Sequence, residues 1–178
     1  MTGPETTTRW KAREAEMVTE KDVTLHVNGQ AETVAVPVHR TLLEVLRELG
    51  HVEVKCGCEK GDCGACAVLL DGEVVDSCLT LACKADGRAV TTALGLGGPN
   101  DPHPLQTAFI EHGGTQCGYC TPGMIMAAKA LLDENPDPSD DDIKRGLSGN
   151  LCRCTGYTRI FSAIQAAAEV LRKRGEAA

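Results

Sequence analysis

Residues 58–66 read CEKGDCGAC, which places three cysteines and three small residues within nine positions. Such a loop can gather sulfur while its glycines let the backbone turn tightly around what the sulfur holds. The chain has 10 cysteines in 178 residues, so the loop is one part of a wider pattern. Its first residues, MTGPETTTRWKAREAEM, carry neither the apolar run of a secretory signal nor paired arginines, and a cytoplasmic location is expected. In that reducing compartment a framework of structural disulfides is disfavoured. The thiols are therefore expected to hold metal or to carry redox chemistry.

Composition excludes several other functions. No run approaches the roughly 18 apolar residues that read as a membrane span. Net charge is −7, and no basic stripe alternates with aromatics, which argues against a nucleic-acid partner. Hydrophobic residues make up 42% of the chain, enough for a packed protein, yet aromatics make up only 3%. Sulfur is expected to take over part of what large aromatic cores do elsewhere.

Outward from the cysteine loop, the periodicity changes along the chain. Residues 1–20 show no sustained apolar period and read as a polar N-terminal arm. Val23, Leu25 and Val27 then alternate with polar residues, Asn28-Gly29 supplies a two-residue turn, and Val34, Val36 and Val38 alternate again, predicting a β-hairpin. Thr41 with Glu44 forms a capping box before Leu42, Leu43, Val45, Leu46 and Leu49, and Gly50 marks the helix end. After the cysteine loop, CAVLL, an Asp71-Gly72 turn, EVVDS and RAVTT predict three more strands. This half reads as α+β. GLGGPNDPHP is a connector, and beyond it the period becomes helical. Leu105, Phe109 and Ile110 open one amphipathic helix, and Thr121-Pro122 caps a second. Ser139 with Asp142 caps a third, and TRIFSAIQAAAEVLRK forms a fourth. The acidic segment DENPDPSDDD reads as a solvated interhelix loop.

Spacing divides eight of the cysteines into two sets. Cys58, Cys63, Cys66 and Cys78 are separated by four, two and eleven residues, the plant-type ferredoxin spacing for a [2Fe–2S] cluster. Gly57, Gly61 and Gly64 let backbone approach such a cluster closely. Cys117, Cys120, Cys152 and Cys154 form two close pairs, 31 residues apart, that can converge from two helix connections onto a second cluster. Zinc also takes four thiolates and is a serious rival for this second set, less so for the first. Cys56 and Cys83 fall outside both sets and read as structural or incidental. His26, His39, His51, His103 and His112 show no cysteine–histidine pairing of the Rieske kind and read as ordinary surface or packing residues.

GCEKGDCGAC with DSCLTLA, followed by QCGYCTPGMIMAAKALL and GNLCRCTGYTRI, closely resembles the iron–sulfur subunit of the molybdenum hydroxylases, the xanthine dehydrogenase, aldehyde oxidase and carbon monoxide dehydrogenase family. The resemblance covers about residues 21–172. It implies a β-grasp, plant-type ferredoxin domain over 21–97 and a helical [2Fe–2S]-binding domain, a four-helix bundle, over 98–178. It implies that the set beginning at Cys58 serves a flavin and the set beginning at Cys117 a molybdopterin. Gln116 matches a family residue that hydrogen-bonds the pterin cofactor, and Cys154 lies close to that cofactor in related proteins. By the same resemblance the chain is an electron-transfer subunit. It would relay single electrons from molybdopterin on a large subunit, through two [2Fe–2S] clusters, to FAD on a medium subunit, in a dimer of heterotrimers. The catalytic glutamate would lie on another subunit, so the isolated chain should not turn over substrate. The 1–20 arm and Cys56 are not family features. A stand-alone two-cluster ferredoxin carrier is the alternative, and a zinc-stabilised interaction module is a third reading.

Overall fold

The hairpin expected from alternation forms because only one face of each strand is apolar. In a computed structural model that describes residues 19–175, β1 (Glu20–Val27) pairs antiparallel with β2 (Gln30–Pro37). The turn between them has positive φ at Asn28 and Gly29, the conformation that two-residue hairpins need. Val23, Leu25, Val27 and Val36 are buried, while Val38 lies just past the strand and is exposed. Of the polar arm, residues 1–18 lie outside the described residues, and Glu20 already opens β1.

Thr41 caps α1 (Leu42–Glu48) through the full capping box, its side chain accepting from the Glu44 N–H while Glu44 reaches back to the Thr41 N–H. Gly50, at φ +97°, lets the chain leave the helix. The buried face of α1, Leu42, Leu43, Val45 and Leu46, packs with β1 and with Val68, Leu70 and Val90. The remaining strands are β3 (Ala67–Leu70), β4 (Glu73–Asp76) and β5 (Ala89–Thr91). Sheet order is β2-β1-β5-β3-β4, with β1 and β5 parallel and the other neighbours antiparallel. A helix packed across this mixed sheet is the β-grasp arrangement.

The second half contains α2 (Pro104–Glu111), α3 (Thr121–Glu134), α4 (Asp140–Gly146) and α5 (Thr158–Arg174). Their apolar stripes meet in a second core that includes Leu105, Phe109, Met124, Leu132, Ile143, Ile160 and Ile164. The fold is thus α+β, a β-grasp unit followed by four helices.

Strand β3 joins the two halves. It is buried along its whole length because both of its faces are covered. Val68 and Leu70 enter the first core, whereas Ala67 and Leu69 pack with Ala93 and with Met126 of α3. Burying a methionine of this kind contributes about 1.5–3 kcal/mol.

Three local readings need correction. Ile110 is 76% exposed and belongs to no apolar stripe, because Leu105, Ala108 and Phe109 already occupy the inward face and Ile110 lies about 100° further round. Thr121 is the first residue of α3 rather than its cap; Cys120 holds the cap position and makes no side-chain capping bond. His103 is more than packing: its Nδ1 accepts from the Leu105 N–H, and Gln106 accepts from the His103 N–H, so the pair caps α2. Gln106 also donates to the carbonyls of Ala93 and Gly97, which pins the glycine-rich connector to the helix.

The cap of α4 gives a pH test. Hydrogen bonds from the Ser139 hydroxyl and N–H, with the Arg145 guanidinium, pull Asp142 down from 3.8 to about 2. A carboxylate lowered on folding stabilises above its unfolded value and loses that contribution as pH falls through the folded one. Amide exchange at the start of α4 should therefore stay slow near pH 4 and accelerate between about pH 4 and pH 2. In Asp142→Asn this pH step should vanish.

Candidate metal centres

Strand register places the first cysteine set. Ala67 of β3 stands opposite Asp76 of β4, so Cys66, just before β3, lies across from Ser77 and Cys78, just after β4. Positive φ at Asp71 and Gly72 closes this hairpin tightly. The buried Ser77 donates from its hydroxyl to the Cys66 carbonyl at 2.7 Å, fixing the two ligand positions together. The loop from Cys56 to Ala65 brings in the others. Its glycines are sterically required where it tightens: a Cβ on Gly57 would lie 2.7 Å from the Cys63 sulfur.

Within this set the sulfurs act on one another: Cys58 with Cys63, Cys63 also with Cys66, and Cys66 with Cys78. The Lys60 N–H points at the Cys58 sulfur and, with help from Cys63 and from the Asp62 N–H, lowers that thiol to about 7. Burial raises Cys63, and burial pushes Cys66 up to about 12. The loop thus offers backbone donors at its open end and a dry wall at its closed end.

The second set stands before two helices. Cys117 and Cys120 precede α3, and Cys152 and Cys154 precede α5. Positive helix ends favour negative charge, which suits thiolate ligands. Here Cys120 acts on Cys152, and Cys154 on Cys117. Burial pushes Cys120 up to about 12. At Cys152 burial is outweighed by hydrogen bonds from the Thr155 hydroxyl and N–H and from the Cys154 N–H, and the thiol is lowered. The Cys152 N–H in turn donates to the Tyr157 hydroxyl, and Tyr157 takes a left-handed φ of +67° as α5 begins.

Among the described residues, no group of three or more His, Cys, Asp or Glu side chains is drawn together as the ligands of one metal ion would be. Four thiols in each set match the ligand count of a dinuclear centre that takes two sulfurs on each iron. The donor set fits [2Fe–2S] chemistry.

The other candidates fall outside these sets. Cys56 packs beside the first core with its thiol on Glu59, whose hydrogen bond, aided by burial, raises it. Cys83 points at the Val38 carbonyl from the far side of α1. Gln116 is exposed immediately before Cys117. The spacing argument did not find the residues that join the two sets: Asn150 donates to the Gly64 carbonyl, the Leu151 N–H to the Cys63 carbonyl, and the Tyr119 hydroxyl to the Cys56 carbonyl. The Asn that precedes LCRC was the available signal.

Comparison with known proteins agrees with this geometry. Residues 25–93 match the model of the 2Fe-2S iron-sulfur cluster binding domain, and residues 92–165 match that of the [2Fe-2S] binding domain. The fold and site thus define an electron-transfer protein with two [2Fe–2S]-binding units. The small FeS subunit of nicotinate dehydrogenase from Eubacterium barkeri is 48% identical over 83% of this chain and 94% of its own length. Aldehyde oxidoreductase of Megalodesulfovibrio gigas is 48% identical over 82% of this chain, which corresponds to 16% of that longer protein. The crystal structure of quinoline 2-oxidoreductase from Pseudomonas putida 86 superposes with a TM-score of 0.82 at 42% identity, over 86% of this chain and 97% of the matched one. The chain belongs to the [2Fe–2S] iron–sulfur subunits of the molybdenum hydroxylase family. No helix among the described residues is long and apolar enough to cross a membrane.

Gly57→Ala tests how tightly the first loop is built. The added methyl, 2.7 Å from the Cys63 sulfur, should reduce iron bound by the first set and leave the second set loaded, read as iron content and visible absorption per chain.

Proposed function

We propose that Cys58, Cys63, Cys66 and Cys78 hold one [2Fe–2S] cluster and that Cys117, Cys120, Cys152 and Cys154 hold the other. The chain would pass single electrons from a molybdopterin-bearing large subunit to an FAD-bearing medium subunit. The observation that carries this reading is the placement of each set: Cys66 and Cys78 face each other across the β3–β4 hairpin beside the loop of Cys58 and Cys63, and two close cysteine pairs stand at the starts of α3 and α5. When bound, each cluster supplies a one-electron couple. The chain's own residues hold the sulfurs, stabilise their charge with the N–H groups of Lys60, Asp62 and Thr155, and shelter Cys66 and Cys120 from water.

Exposure supports the assignment of sides. Gln116, Cys117 and Cys154 are exposed on the helical half, which suits contact with the pterin cofactor of a large subunit. Beside the first set, Leu79 is 60% exposed, adjacent to Cys78 and facing Gly61, which suits a docked FAD subunit. The two hydrophobic cores support a division into 21–97 and 98–178. We assign a dimer of heterotrimers in the cytoplasm, with substrate chemistry on the partner subunits. The isolated chain should exchange electrons and turn over no substrate.

The full complex should carry about four irons and four acid-labile sulfides per copy of this chain, with two distinguishable rhombic signals in electron paramagnetic resonance after reduction. A single signal, or zinc in the second set, overturns the relay. Cys117→Ser should remove one signal and stop electron flow to the flavin while the other persists.

Cys56 and Cys58 separate the ligand from its neighbour. Cys56→Ser should leave both signals intact, since its thiol is turned to Glu59. Cys58→Ser should abolish or strongly shift the first-set signal, because a hard oxygen ligand suits an iron–sulfur core poorly. The reverse pattern refutes the ligand assignment.

A further inference from the structure

Asn150 is 7% exposed and one of three buried polar side chains among the described residues. Its Nδ2 donates to the Gly64 carbonyl at 3.0 Å. Gly64 lies between Cys63 and Cys66, and Asn150 lies two residues before Cys152. One buried hydrogen bond therefore joins a side chain of one cysteine loop to the backbone of the other. The Leu151 N–H adds a second tie to the Cys63 carbonyl, also at 3.0 Å.

Beside this amide, the Gly64 loop meets the start of α3 backbone to backbone at Gly123. A Cβ on Gly123, three residues after Cys120, would lie 2.2 Å from the Gly64 carbonyl oxygen. A Cβ on Gly64, whose φ is +63°, would lie 2.4 Å from Asn150 Nδ2 and 2.6 Å from the Gly149 carbonyl. Gly123 is thus denied a side chain by the Gly64 backbone, and Gly64 by Asn150 and Gly149. Asn150 is itself anchored, its N–H donating to the Leu147 carbonyl and its carbonyl facing the Tyr157 hydroxyl that also accepts from the Cys152 N–H.

We propose that Asn150 is a positioning residue for electron exchange between the two cysteine sets, locking the loop of Cys152 and Cys154 onto the backbone between Cys63 and Cys66 at the Gly64–Gly123 contact. This rests on the ligand sets assigned above. One electron moves per event, oxidising the centre it leaves and reducing the one it enters. The seam contributes distance, because electronic coupling and magnetic coupling between two centres both fall steeply as they separate. A protein that needed only two loaded sites could space them with ordinary side chains. A buried amide holding one loop to the backbone of the other fixes the separation instead.

The test uses the full complex. Asn150→Ala and, separately, Gly123→Ala are compared with wild type for iron content, the two resonance signals, their magnetic splitting when both centres are reduced, their midpoint potentials, and the rate of electron exchange after a fast reducing pulse. Asn150→Ala should keep four irons, both signals and both potentials while the splitting shrinks and exchange slows by about tenfold, and Gly123→Ala, scored on its iron-replete fraction, should show the same loss of splitting. Leu151→Ala, which keeps its backbone N–H, should match wild type. Unchanged splitting and rate in iron-replete Asn150→Ala overturn the proposal. If that variant loses iron, Asn150→Ser, with a shorter donor, is judged by the same criterion. A wild-type complex with one signal would refute the ligand sets themselves, a failure distinct from that of the seam.

Discussion

Ionised thiols repel one another, and much of the structure serves to place eight cysteines near one another in two sets. A bare thiolate needs hydrogen bonds or a positive field to be stable, and several pressed together need more. The first loop answers with the N–H groups of Lys60 and Asp62 on Cys58, and the second with Thr155 on Cys152 and with two helix starts. Against these, burial pushes the Cys66 and Cys120 thiols up to about 12.

The rest of the architecture follows from delivering sulfurs to those positions. The β3–β4 hairpin exists in a register that sets Cys66 beside Cys78, and the buried Ser77 secures it. Helices α3 and α5 each begin just after a cysteine pair, and Cys120 sits at the α3 cap position in helical φ/ψ without a capping bond.

Much of this was legible in the chain. The Asn28-Gly29 turn and the Thr41 capping box are local patterns with one physical meaning, and each appears in place. Ile110 misled because an eight-residue helix shows barely two turns of periodicity, too few to tell Phe109's face from its neighbour's. Thr121 misled because threonine before proline is a good cap in general, while the helix here already includes Thr121 and its cap position falls on Cys120. Asn150 carried no spacing signal, since its partner Gly64 lies 86 residues away, and only folding brings them together.

That long-range pairing explains why two units share one chain. The outer face of β3, Ala67 and Leu69, is as apolar as its inner face, and Met126 of α3 covers it. Without the helical half the sheet would expose an apolar strand to water, and without the sheet α3 would expose Met126. The contact that completes both cores also ends at Gly123 against Gly64, between the two cysteine sets. A flexible linker between two ferredoxin-like units would leave their separation free to vary. Here the separation is fixed by the same burial that stabilises the fold, so the halves cannot drift apart without opening a hydrophobic core.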